Sequence, residues 1–193
     1  MNLNFFLRGI KNIVSNPIKI WEISKSGIPS AGTVRNSFLF PLAVLVALSA
    51  FFGSFLFTNV ALSPVYSILF SIKCLIVILI TVYATSYILD EIRHPLDLGR
   101  DFNTSFSMVV FSIAPFLLCQ ILSRLFESLL FVNIISFYGL YIFWIGAEKI
   151  LNPPKYKKMP LLISTVIAFA GIYIPTDLLL NMITERVYFA FFT

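Results

Sequence analysis

A lysine inside a long apolar run is the residue best placed to do chemistry in this chain. Lys73 sits about a third of the way along an apolar stretch at 65–89. On insertion scales a charge in such a setting costs about 2.5–3.5 kcal/mol, so these side chains face a bundle interior or a polar cavity. At 1.5 Å per residue, Lys73 lies about 12 Å from the outer end of its stretch, a depth that snorkelling covers only in part. Asp177, near the outer end of a later apolar stretch, is the best-placed counter-ion, and Glu127 is second. Gln120 and Arg124 approach from the same side. The pattern predicts a polar cluster of Lys73, Asp177, Gln120, Arg124 and Glu127 in the outer half of a helical bundle. Two kinds of chemistry fit it. One is a structural ion pair around a snorkelling lysine. The other is a site for a substrate, an ion or a lipid headgroup.

Other reactive groupings are sparse. Asp90, Glu91 and His94 form the one cluster that resembles a metal site, because Glu91-x-x-His94 puts two ligands on one helical face. Di-metal bundles need two such motifs plus further Glu. This chain has one His, and Pro95 breaks the helix at once. A solvated, helix-ending loop without metal is the expectation. No serine has a base partner, and there is no HExxH or phosphate-cradling glycine loop. Intramembrane proteolysis needs a Ser/His or Asp/Asp pair, yet Asp177 is the only Asp well inside an apolar stretch. The residues therefore predict a protein that is not an enzyme and holds no cofactor. Cys74 and Cys119 both fall within apolar stretches, where thiols behave as small apolar side chains. No CxxC spacing accompanies them.

The elements that must position these residues are read from hydropathy. Five apolar stretches run over 38–57, 65–89, 104–123, 128–147 and 160–180. Each is near the ~20 residues a helix needs to cross a ~30 Å hydrocarbon core. The chain is 59% hydrophobic and 12% charged, with a mean hydropathy of +0.92. Soluble domains are about 25% charged, and a soluble chain this apolar would expose aggregating patches. The fold class is thus all-α: a polytopic integral membrane bundle of five transmembrane helices with an N-terminal interfacial amphipathic helix. Residues 1–33 form the cytoplasmic interfacial segment and linker, and 34–193 the five-span domain.

Charge sets the threading. Arg8, Lys11, Lys19, Lys25 and Arg35 precede the first stretch, Arg93 and Arg100 follow the second, and Lys149, Lys155, Lys157 and Lys158 follow the fourth. The remaining basic residues are Lys73, Arg124 and Arg186. This alternation is the positive-inside pattern, with a cytoplasmic N-terminus and an external C-terminus in the cell membrane. The net charge of +5 then meets anionic headgroups rather than nucleic acid. The first 30 residues lack the continuous apolar core of a cleaved signal, so the first stretch is expected to serve as the insertion signal.

Within 2–16, Leu3, Phe6, Leu7, Ile10, Ile13 and Val14 recur at helical steps, opposite Arg8, Lys11, Asn12 and Ser15. Such a helix lies in the interface plane, and Asn16-Pro17 ends it. Trp21 reads as a headgroup-level anchor. The segment either orients the protein or offers a docking surface, built on Phe6, Ile10, Lys11 and Trp21, for a cytoplasmic partner or a curved membrane. Ser24–Thr33 reads as a linker and Thr58–Pro64 as a short uncharged loop. Ser49 and Gly53 permit close helix approach, Pro115 predicts a kink, and Gly139 and Gly146 share a face that gives a neighbouring backbone room. Glu185–Thr193 reads as an aromatic tail at the outer interface. There is no internal repeat of the transporter kind.

Three segments together resemble the Yip1-domain membrane proteins, in particular their short prokaryotic members. Asn16-Pro-Ile-Lys-Ile-Trp-Glu-Ile23 is similar to the family's Pro-x-x-x-Trp-x-x-Ile segment. Asp101-Phe-Asn-Thr-Ser-Phe-Ser-Met-Val-Val-Phe-Ser-Ile-Ala-Pro115 looks like the approach to its third span. Tyr138-Gly-Leu-Tyr-Ile-Phe-Trp-Ile-Gly146 looks like its fourth-span Tyr/Gly pattern. The resemblance implies a bacterial cytoplasmic-membrane protein that organises or assists other membrane components. The implied partners are the lipid bilayer and a membrane protein or further copies of the chain. Eukaryotic relatives bind small GTPases through an Asp-Leu-Tyr-Gly-Pro-like motif. That motif is absent here, so no GTPase partner is expected. The alternative is a small transporter or channel-like module for an ion, lipid or small solute, with its cavity near Lys73.

Overall fold

The computed structural model describes residues 3–25, 30–57 and 64–192, with the backbone alone at 3–5, 22–25, 57, 127 and 192. The linker at 26–29 and the loop at 58–63 lie outside the described residues. All regular structure among the described residues is helical. Two short helices, α1 (Leu3–Ser15) and α2 (Pro17–Lys25), precede five long ones. These are α3 (Ala31–Leu56), α4 (Pro64–Arg93), α5 (Phe102–Leu125), α6 (Ser128–Leu151) and α7 (Lys155–Phe192). All five are long and apolar enough to cross a membrane.

Two helices overrun their apolar stretches. α4 is about 45 Å long and α7 about 57 Å, against a hydrocarbon core of ~30 Å. The aromatic tail expected after Glu185 is instead the last turns of α7. It continues because α4 lies alongside it in the antiparallel sense. Tyr188 is buried there, its ring 5.2 Å from Tyr66 in an edge contact. α7 also carries Pro160 and Pro175 without ending.

α5 is the central element. In its most apolar window 67% of residues are buried, against 11% in α7, which leans chiefly on α4. Small residues let the other helices reach α5. A Cβ on Gly53 would stand 1.9 Å from the Arg124 carbonyl oxygen, so α3 and the end of α5 meet backbone to backbone. Gly139 does the same for α6, with a Cβ position 2.3 Å from the Ser112 carbonyl oxygen. Pro115 sits inside α5 without breaking it. α6 is irregular at both ends. It begins as a 3-10 stretch, Glu127–Phe137, and closes as a π turn, Ala147–Leu151, ended by Asn152 at φ 44°. Asn tolerates that left-handed conformation better than most residues.

The N-terminal helices differ from their sequence reading. Trp21 is fully buried, its Nε1–H donating to the Ile142 carbonyl at 3.2 Å and its ring 5.7 Å from Phe111. Gly146 makes the notch: a Cβ there would meet the indole at 2.7 Å. Gly146 therefore houses a ring, not a neighbouring backbone. Phe6 is buried against Phe38 at 5.9 Å. Phe6 and Trp21 are thus core side chains and not interfacial anchors, because a bundle notch covers more aromatic surface than a headgroup layer does.

At the basic end, the α4–α5 loop is tied down from within. Arg93 is buried and donates to the carbonyls of Asp101 (3.0 Å) and Leu98 (3.2 Å) and to Ser105 Oγ (2.8 Å). Asp90 accepts from the Asp101 N–H at 2.9 Å and from Ser105 at 3.1 Å. Asp101 caps α5, accepting from the Asn103 N–H and the Thr104 hydroxyl. Burial pushes its carboxyl up, but the hydrogen bonds from Thr104 and Asn103 and the Arg93 charge outweigh this and hold it below the usual carboxylate range. Lys157 closes the loop from α7, donating to Leu96 O at 2.7 Å and Asp97 at 2.9 Å. The loop expected to be simply solvated therefore has a buried charged base under an exposed rim of His94, Pro95 and Gly99.

Candidate functional site

The structure brings four of the five outer-cluster residues together. Lys73 Nζ lies 2.8 Å from Asp177 Oδ1 and donates to Asn181 Oδ1 at 3.2 Å. Asn181 in turn donates to Glu185 at 2.8 Å. On the α5 side, Arg124 Nε donates to Gln120 Oε1 at 3.1 Å. Phe70 links the two halves, its ring centroid 5.3 Å from Lys73 Nζ and 5.2 Å from Arg124 Cζ. One ring thus faces two cations, whose mutual repulsion it offsets through its quadrupole. The side chain of Glu127 lies outside the described residues. Asn181 and Phe70 were missed from sequence, although Asn181 stands one helical turn after Asp177 and so shares its face.

Helix rise gives the distance of this cluster from the basic end of the bundle. Counted from Arg93, Phe102 and Lys155 at the basic end, Lys73, Arg124 and Asp177 lie about 30, 33 and 33 Å away. A hydrocarbon layer ~30 Å thick set against that end puts the cluster at its far boundary. At the other end, α4 runs on for about 13 Å beyond Lys73, close to the distance read from the apolar stretch. Little space surrounds the pair. The cavity bounded by Cys74, Gln120, Arg124, Tyr173 and Asp177 holds about 10 Å³, roughly the minimum for one water.

The other sequence candidates separate. Lys11 is exposed and Ile10 half-buried, while Phe6 and Trp21 face the core. What α1 presents outward is a stripe of Leu7, Lys11 and Val14 at helical steps, with Arg8 and Ser15 exposed beside it, and Ile18 and Lys19 are exposed on α2 beyond the break at Asn16. Asp90 is committed to Asp101 and Ser105, Glu91 pairs with Arg100, and His94 is exposed. Among the described residues no three His, Cys, Asp or Glu side chains group as metal ligands.

A larger cavity of about 320 Å³ lies elsewhere, between α5, α6 and α7, with Thr85 of α4 also lining it. Its walls are Val109, Ile113, Phe116, Phe143, Leu162 and Phe169, with Ser112, Ser136 and Thr165 among them. The hydroxyls of Thr85, Ser112 and Ser136 are buried and have no hydrogen-bond partner among the described residues, as are those of Ser67, Thr81 and Ser107 elsewhere in the bundle.

Five helices long and apolar enough to span a membrane, with a buried ion pair between two of them, fit a multi-pass membrane protein. No protein-family model, curated protein or solved structure matches the chain.

Proposed function

We propose that the chain is a non-catalytic protein of the bacterial cytoplasmic membrane, of the Yip1 type, that organises other membrane components through its cytoplasmic face. The observation that carries this reading is the outward stripe of Leu7, Lys11 and Val14 on α1, with Ile18 exposed on α2. It sits on helices whose opposite face, Phe6, Ile13 and Trp21, is locked into the bundle. A rigidly held helix with an apolar, basic outer face suits a partner helix or loop at the membrane surface, because little ordering entropy is lost on docking. The positive-inside rule, applied to the basic ends of the helices, supports a cytoplasmic position for that face. The transporter reading needs a polar passage at Lys73, and the close packing there argues for a structural ion pair.

Photo-crosslinking tests the reading. A photoreactive residue replaces Val14 in the full chain in its native membrane, and another replaces Ile167, which is exposed on α7. A discrete protein adduct is expected at position 14, lost on Lys11→Glu, with only lipid adducts at position 167. Lipid adducts alone at both positions would overturn the docking role.

A further inference from the structure

We infer that the outer end of α7 pairs with the same segment of a second copy of this chain, side by side and pointing the same way. This end overhangs the membrane. Counted from Lys155, Met182, Arg186 and Phe189 lie about 40, 46 and 51 Å along the helix, against ~40–45 Å for a bilayer with its headgroups. Leu179, Met182 and Phe189 are nonetheless exposed, and so is Arg186. α4 covers the opposite face, where Thr184 and Tyr188 are buried. Lipid tails can cover α7 nearer its basic end, but they do not reach this far. Arg186 joins no ion pair among the described residues.

Spacing and charge together specify the occupant. Leu179, Met182, Arg186 and Phe189 follow one another at steps of three, four and three, the a and d rhythm of a coiled-coil seam. Met182, Glu185, Arg186 and Phe189 line one open hollow, with Ala190 beside them. Those four are the d, g, a and d positions that form the hole for an a-position knob in a parallel pair. Arg186 is itself such a knob, so the face fits its own copy. Glu185 stands in the wall of the hole and accepts a hydrogen bond from Asn181 at 2.8 Å. Each Arg186 therefore enters beside the Glu185 of the other copy, and cations and anions alternate across the seam. Copies threaded through one membrane in one direction bring this face together only in the parallel sense, about an axis along the membrane normal. Chains already held in one plane also lose less freedom on pairing than chains in solution. Helices crossing at ~20° part by about 8 Å over the roughly 22 Å back to Gly171, so the contact is confined to the outer end. So short a seam pairs reversibly, and small reagents still reach this face between encounters.

The test uses the full chain in its native membrane, with Met182→Cys as reporter and Ile167→Cys, also exposed on α7, as control. The native Cys74 and Cys119 are buried. Mild oxidation with copper phenanthroline traps thiols that meet, and a non-reducing gel reads the product. A covalent dimer of the chain is expected from position 182 and none from position 167. Arg186→Glu or Glu185→Arg, each added to the reporter, puts like charges on both sides of the seam and should cut the dimer about tenfold. Co-expressing these two charge variants under different tags should restore it as the mixed pair alone, because each chain then meets its opposite. That recovery also shows that both variants fold. No dimer at 182, an equal dimer at 167, charge variants that pair as well as their parent, or a mixed pair no better than either variant alone would overturn the proposal.

Discussion

Lys73 and Asp177 are unequal members of their pair. The Lys73 side chain is 3% exposed and that of Asp177 29%. Asp177→Asn leaves a buried ammonium with Asn181 as its main acceptor, whereas Lys73→Met leaves a carboxylate that is partly exposed. Stranding a buried charge costs about 3–5 kcal/mol, and stranding the partly exposed partner costs less, about 1 kcal/mol. Asp177→Asn is therefore expected to lower stability more than Lys73→Met, and the double variant should recover most of the loss. Reversible unfolding in mixed detergent micelles measures this order. Equal losses, or a double variant as weak as the sum of the singles, would mean the two groups do not depend on each other. This pairing was legible in the sequence because a charge in an apolar run needs a counter-charge at matching depth. The fate of Trp21 was not. An indole beside a membrane suits both an anchor and a core, and what decides is the notch left by Gly146, far away in the chain.

Helix contacts depend on a few positions with no room for a side chain. Gly53→Ala drives a Cβ into the Arg124 carbonyl, a backbone atom that cannot swing aside. α3 must then draw back from α5, at a cost of about 1–3 kcal/mol for an overpacked contact. Gly171→Ala in α7 meets nothing within 4 Å. There the better helix propensity of alanine should leave stability unchanged or raise it by up to about 1 kcal/mol. Melting of both variants in the same detergent measures the contrast, and a harmless Gly53→Ala would show that the α3–α5 contact is looser than described. The existence of the five long helices was readable from hydropathy, since each apolar run must bury its backbone polar groups in a helix. Their ends were not. Hydropathy ends the fifth stretch at 180, but a helix stops where its partner does, and α4 supports α7 as far as Tyr188.

Across the whole molecule the unsymmetrical feature is charge. Lys155, Lys157 and Lys158 stand at one end of α7 and Arg186 near the other, with about 46 Å of helix between Lys155 and Arg186. That separation exceeds the ~40–45 Å of a bilayer with its headgroups, so the two residues can report on opposite faces. Lys155 and Arg186 are both exposed, and the native thiols Cys74 and Cys119 are buried, which keeps background labelling low. Single Lys155→Cys and Arg186→Cys variants in intact cells are therefore informative. A membrane-impermeant maleimide should modify the cysteine at 186 directly and the one at 155 only after permeabilisation. The energetic reason is the positive-inside rule: four lysines at the facing ends of α6 and α7 resist translocation, whereas the lone Arg186 does not anchor its end. If position 155 labels first, the charge reading is inverted, and the α1 stripe proposed for docking would face away from the cytoplasm. If both label without permeabilisation, α7 does not cross at all. The ion pair at Lys73 would then lie in water, where holding a buried ammonium so tightly has no evident cause.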